Sequence, residues 1–300
     1  MNIENNEQNL DNKINKRKDF VNNIIKSFKF TSLDIAICGI FLSIQLITMV
    51  ISRMTILRII PLDLEFLFYI IYGAILGPFK GALLAFMGDV LNMLIGGTIG
   101  LWYYGYALVS ISIPIISFLF VYLFKKNKYF QLIFPIFVIT LAISIAILTL
   151  LKFSNNGRIF LQTSRKGNKY PISISIIIII MSIYILFALL TVIAFFVIYK
   201  KTQKEKWKNY LLIFSLIIFI IVIFRWTFGS MLYIDYFNKI KAPQSPNPMS
   251  IKEHYLLFTY PIIIKSLFTI PIYTVIATPI FNVVEILKEK YLDKNNKVSY

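Results

Sequence analysis

Gly73 to Gly105 reads GAILGPFKGALLAFMGDVLNMLIGGTIGLWYYG: two short apolar runs joined by Gly77-Pro78-Phe79-Lys80-Gly81, one carboxylate (Asp89) deep in the second run, then an uncharged glycine-rich aromatic segment. Proline lacks an amide donor and fixes φ, and glycine leaves the turn unrestricted, so the pair stops one helix and starts the next. The rest of the chain reads as membrane wall around this unit. Hydrophobic residues make up 58% of the 300, charged residues only 15%, and the mean hydropathy is +0.73. That leaves too few polar side chains to coat a soluble globule of this size, so the sequence is that of an all-α integral membrane protein.

A bilayer core of roughly 30 Å needs about 20 apolar residues per helix. Uncharged runs mark about eight spans: 35–52, 66–77, 81–95, 104–124, 130–151, 172–199, 210–236 and 255–286. The second and third are short, which suits a compact bundle wrapped around a site. Asp34 at the mouth of the first span favours the positive end of the helix dipole. The net charge of +17 lies in short blocks between apolar runs, such as Lys125, Lys126 and Lys128, or Lys200, Lys201, Lys204, Lys206 and Lys208. Those blocks act as topology signals, not as a nucleic-acid groove. The basic segment 1–30 lacks the apolar core of a signal peptide and is expected in the cytoplasm with the 288–300 tail, giving a multi-pass protein of the cell membrane with both termini inside. Only the basic loop at 152–170 disagrees with that topology, and a partly re-entrant fifth and sixth span is the alternative. The outer side then holds the 53–65 linker, the Gly96–Tyr103 loop and the proline-rich 237–254 loop, where a ligand could be captured.

Ionisable groups inside spans are costly, by about 2.5 to 3.5 kcal/mol on insertion scales, and so are functional candidates. Here they are Asp89, Arg225 and Lys265. Asp89 reads either as a ligand contact or as part of a packing network with Asn92 one turn on. Lys265 reads as a counter-ion for an anionic ligand, a salt-bridge partner of Asp89, or a snorkelling side chain. Arg225 can simply mark the end of an apolar run. Trp102, Tyr103, Tyr104 and Tyr106, beside Gly96, Gly97 and Gly100, read as a flexible lid whose faces stack on a flat ring, or as an interfacial aromatic belt. Gly39 and Ser43 form a small-x-x-x-small face for close helix approach. His254 is the only histidine and Cys38 the only cysteine, so neither a metal site nor a disulfide framework is expected. No nucleotide-hydrolysis, metalloprotease or esterase motif is present, so no enzymatic activity and no cofactor are expected.

Taken in order, Val50-Ile51-Ser52-Arg53-Met54-Thr55-Ile56, Leu76-Gly77-Pro78-Phe79-Lys80-Gly81-Ala82, Gly88-Asp89-Val90-Leu91-Asn92, Tyr103-Tyr104-Gly105-Tyr106-Ala107, Tyr260-Pro261-Ile262-Ile263-Ile264-Lys265 and Thr269-Ile270-Pro271-Ile272-Tyr273 resemble the substrate-binding S components of energy-coupling factor (ECF) vitamin transporters, the folate-type branch most nearly. The resemblance implies a six-helix bundle that captures a small water-soluble vitamin outside and delivers it inward with a separate transmembrane T subunit and two ATPases. It divides the chain into helices 1–4 (31–126), an inserted helical hairpin with a basic loop (127–208) that has no counterpart in the family, and helices 5–6 (209–287). It places Arg53 and Lys265 against the ligand's negative charge, Asp89 or Asn92 as hydrogen-bonding groups, Trp102, Tyr103 and Tyr104 over the ligand, and Gly39 with Ser43 on the T subunit. The sequence departs from the folate branch in Leu67-Phe68-Tyr69, in Tyr104-Gly105-Tyr106, and in having Ile262 and Ile263 where an arginine is common. A structural or assembly protein that holds anionic lipid through its basic loops, and a stand-alone secondary carrier, are the other classes.

Overall fold

The computed structural model describes residues 30–54, 64–126, 130–152, 158–162, 169–241, 243 and 248–291. The basic segment up to Lys29, Arg58 and Asp63 of the linker, Arg165 and Lys166 of the basic loop, and the tail after Tyr291 lie outside the described residues.

The chain is a helical, multi-pass membrane protein with, among the described residues, seven helical elements long and apolar enough to cross a bilayer. With the shorter α2 (Leu64–Leu76) among them, the helices in order are α1 (Ser32–Met54), α2, α3 (Pro78–Ile95), α4 (Tyr104–Lys126), α5 (Phe130–Lys152), α6 (Ile174–Thr202), α7 (Glu205–Ile220) running on into α8 (Gly229–Tyr236), and α9 (Ile251–Tyr291). All eight expected apolar runs are helical, but one is no full span. At 13 residues, α2 is only about 20 Å long. The basic loop between the fifth and sixth runs holds an antiparallel two-stranded ribbon, β1 (Arg158–Gln162) on β2 (Lys169–Ser173), with Arg158 opposite Ser173.

The contacts divide the chain into two compact units. The first comprises residues up to Gly96 and the middle turns of α4, Ser110–Leu119. Its centre is α2, where Leu67, Phe68, Tyr69, Ile70, Ile71 and Tyr72 are all buried. A helix apolar on every side has no wet face to present, so it packs inside. Gly77 starts α3 at φ 89° with Pro78 directly after it, a left-handed turn that a side chain would strain. A Cβ on Gly73 would lie 2.1 Å from the backbone oxygen of Pro114, so only glycine lets α2 rest on α4. Thr31 and Asp34 cap α1 reciprocally: the Thr31 amide and hydroxyl donate to Asp34 Oδ2 at 3.0 and 2.8 Å, and the Asp34 amide donates to Thr31 Oγ1 at 3.2 Å. Lys80, itself buried, completes the group at 2.7 Å from the same carboxylate oxygen.

The second unit comprises Gly97–Val109 and Phe120 onward. Its axis is the α7–α8 element, of which 78% is buried in its most apolar stretch. The buried residues Ile139, Ala142, Ile143, Ala146 and Leu150 of α5, and Ile177, Met181, Tyr184, Ala188 and Val192 of α6, recur at helical spacing and mark the faces that cover it. The opposite faces carry exposed Ile133, Phe137, Leu148, Ile179, Ile183, Leu186 and Leu190, the outward apolar surface expected of helices in lipid. Between α7 and α8 the backbone widens into a π-helical segment, Ile221–Thr227, and another, Phe237–Lys241, follows α8. The Tyr255 hydroxyl donates to the Trp226 and Thr227 carbonyls at 3.0 and 3.2 Å, satisfying acceptors at the end of the first widened turn.

Gly73→Ala is expected to destabilise the protein by about 1 to 3 kcal/mol through overpacking. Gly39→Ala, where nothing lies within 4 Å of the added carbon, is expected to change stability by less than about 0.5 kcal/mol. Thermal unfolding in detergent separates the two.

Candidate functional site

In the second unit, the start of α4 and the end of α8 bring together residues 132 and 135 positions apart in sequence. The Tyr103 hydroxyl donates to Asp235 Oδ2. Lys239, four residues after Asp235, donates to the same oxygen at 2.9 Å and to the Tyr104 hydroxyl at 3.1 Å. The Lys239 nitrogen is 5.6 Å from the Tyr104 ring centroid, which with the 3.1 Å contact places it at the hydroxyl edge. The contact is therefore a hydrogen bond and not a stack over the ring face.

Around this polar group the rings of Tyr103, Tyr106 and Tyr236 form a triangle with centroid separations of 5.8, 5.8 and 6.0 Å, and Tyr104 packs on Tyr103 at 4.6 Å. Tyr233 extends the cluster at 6.3 Å from Tyr236 and 4.7 Å from Phe258. These separations fall in the range for tilted and edge-to-face pairs. Gly105 shapes the group from below, because a Cβ there would sit 2.3 Å from the Tyr103 ring and 3.0 Å from Leu232. Tyr103 is buried, whereas Tyr104 and Tyr106 are exposed. Burial first, then the Asp235 carboxylate beside it, pushes the Tyr103 phenol far above its ordinary range, so it stays a donor at neutral pH. After α8, Asn238 and Met249 exchange two hydrogen bonds, side-chain nitrogen to carbonyl at 2.9 Å and amide to side-chain oxygen at 2.8 Å, which tie Met249 to the second π-helical segment.

Every residue of the preceding segment Leu94–Leu101 is exposed, although none carries a charge. Gly97 has φ 65°, Ile99–Leu101 form a single 3-10 turn, and Trp102 follows half-buried in extended conformation. Of the lid residues read from sequence, Tyr103 is thus an internal support, while Trp102 and Tyr104 present surface.

In the first unit, Arg53 donates from Nη2 to the Asn92 backbone oxygen at 3.0 Å and to its Oδ1 at 2.6 Å. The Asn92 amide donates onward to Glu65. A Cβ on Gly96 would lie 2.4 Å from Arg53 Nη1, so the guanidinium lies flat on the end of α3. Asp89 is half-buried one turn before Asn92. Gly39 and Ser43 are both exposed on α1, the Ser43 hydroxyl turned back to the Gly39 carbonyl at 2.8 Å. In the second unit, Lys265 is exposed on α9, on the stripe that also carries Pro261, Phe268 and Ile272, and takes no part in the Tyr103–Asp235 group. Arg225 is half-buried in the first π-helical segment. Among the described residues no group of three histidine, cysteine or acidic side chains could hold a metal ion.

Sequence reasoning passed over Asp235, Lys239, Tyr233 and Tyr236, and Glu65 as a partner. The signal was Tyr233-x-Asp235-Tyr236-x-x-Lys239 at the end of an apolar run, with opposite charges four residues apart. Compared with protein-family models, curated proteins and solved structures, the chain matches none.

Tyr103→Phe removes one hydrogen bond to a partly exposed carboxylate and is expected to cost about 1 kcal/mol of stability. Because the folded phenol titrates above the unfolded one, that contribution is whole below about pH 10, the unperturbed phenol value, and is lost as pH rises from there. Urea-unfolding midpoints for parent and variant from pH 7 to 11 should converge as pH increases.

Proposed function

We propose that this protein is the substrate-capturing subunit of an ATP-driven importer of the energy-coupling factor type, taking a small water-soluble vitamin from outside, with a folate-like molecule as the first candidate. The observation that carries the reading is the tyrosine group around Asp235 beside an exposed, uncharged, glycine-containing segment. A flat ligand needs aromatic faces, a few fixed polar atoms and a cover able to move, and Trp102, Tyr104 and the glycines of 96–100 supply these. The ordered resemblance to S components supports the same class. In this reading the partners are a T subunit and two ATPases, and the open Gly39–Ser43 face of α1 receives the T subunit. The pair α5 and α6 is an addition to the six-helix plan. Arg53 and Asn92, bonded to one another and to Glu65, serve the first unit's own structure first.

Native mass spectrometry of the protein purified in detergent from its host tests the class: a retained pterin together with a T subunit is the expected result. Another vitamin in its place would remove the folate assignment, and clean apo-protein without partners would favour a structural role. Trp102→Ala is expected to weaken vitamin binding at least about tenfold, the range of a lost stacking contact. Gly39→Leu should abolish recovery of the T subunit while leaving ligand binding unchanged.

A further inference from the structure

Asp235 is unevenly used. Both Tyr103 and Lys239 donate to Oδ2, and among the described residues no hydrogen bond reaches Oδ1. Its side chain is 38% exposed and that of Lys239 52%, so the carboxylate is reachable from the surface, as are the exposed rings of Tyr104 and Tyr106. The carboxylate is nevertheless held in place: a buried phenol from a distant part of the chain fixes it, and that phenol is itself wedged by the backbone at Gly105. A surface salt bridge of ordinary kind needs no such support.

An anion next to Lys239 would also meet the Asp235 carboxylate, so the group is poorly suited to recognising negative charge. It suits donors. A carboxylate with two oxygens available accepts a parallel pair of N–H groups, the planar arrangement that makes bidentate contacts both strong and selective. Lys239 currently supplies one such donor, and an exposed ion pair is cheap to exchange. The exposed rings of Tyr104 and Tyr106 offer faces to a flat molecule held there.

We propose that Asp235 anchors a flat heteroaromatic ligand through an amidine-like edge of two adjacent N–H donors, stacked on Tyr104 and Tyr106, and that Lys239 is a stand-in cation which the ligand displaces. The proposal rests on the reading of this protein as a vitamin-capturing subunit, and names the part of the ligand that this pole recognises. It assigns the negative end of a folate-like molecule elsewhere.

The test uses the full chain in detergent and three probes: folic acid, 6-methylpterin, which has the N–H edge without the anionic tail, and 4-aminobenzoylglutamate, which has the tail without the edge. Calorimetric titration should show binding of folic acid and 6-methylpterin. Asp235→Asn should weaken 6-methylpterin at least about thirtyfold, as expected for two charge-assisted hydrogen bonds lost, with the helical circular dichroism unchanged. Lys239→Met should leave 6-methylpterin binding equal or tighter. If Asp235→Asn does not fold, the Lys239→Met result decides: tenfold weaker binding of 6-methylpterin overturns the displacement. Folic acid binding with a twofold or smaller effect of Asp235→Asn, or binding of the tail probe but not of 6-methylpterin, overturns the inference and leaves the proposed function standing. Binding of none of the three overturns both the inference and the folate-like assignment.

Discussion

In hydrocarbon there is no water to satisfy a polar group, so each donor and acceptor must find a partner within the protein. That constraint shapes most of this molecule, although among the described residues the buried Gln45 Nε2 and Trp226 Nε1 have no hydrogen-bond partner. It makes the spans helical and turns the hydroxyls of Thr140, Ser144, Thr149, Ser182 and Thr191 back to carbonyls one turn earlier. In α9, which carries Pro261, Pro271 and Pro279, the hydroxyls of Ser266, Thr269, Thr274 and Thr278 likewise donate to carbonyls four residues earlier.

The same constraint separates the two polar groups. In the first unit the side chains close on one another: Arg53 on Asn92, Asn92 on Glu65, Lys80 on Asp34, Tyr72 on Gln45 at 2.6 Å. Such groups hold helices in register. In the second unit the Tyr103–Asp235–Lys239 group is held on its buried side by Tyr103, while Asp235 and Lys239 are partly exposed and, among the described residues, no hydrogen bond reaches Asp235 Oδ1.

Much of the fold was legible because the deciding signals are local. Uncharged runs, the Gly77-Pro78 stop and the Lys blocks located eight helices to within a few residues at most ends. The length of α2 was overestimated in function, not in position: its apolar run was correctly bounded, but it is the core of a unit and too short to cross a bilayer. The ribbon at 158–173 was missed because its sequence, with Arg158, Lys169 and Pro171, carries basic loop composition and little strand alternation. The candidate site was half legible. Trp102, Tyr103 and Tyr104 stood out beside glycines, but their carboxylate lies 132 residues away from Tyr103, and nothing local in either stretch announces the other. Lys265 drew attention for its charge inside an apolar run. Its exposed position on α9 shows why charge in a span is a weak guide when a long side chain can lie along the helix surface.

The pair α5 and α6 needs a physical account of its own, since the proposed family plan has no place for it. In α7, Leu211 to Ile218 is a run of consecutive buried residues, so that helix has no side it could turn to lipid without losing packing. Neighbours must surround it. Part of the enclosure comes from α9, where Asn209 donates to Asn282 and Glu285 at 2.7 Å each, and part from α5 and α6, whose buried stripes include Tyr184 against Trp226 at 5.9 Å. The added pair is thus wall, and the element it encloses leads directly into α8 and Asp235. In the proposed reading, its effect on ligand capture runs through the steadiness of that axis: a helix fixed on all sides can hold a carboxylate at its end in one position.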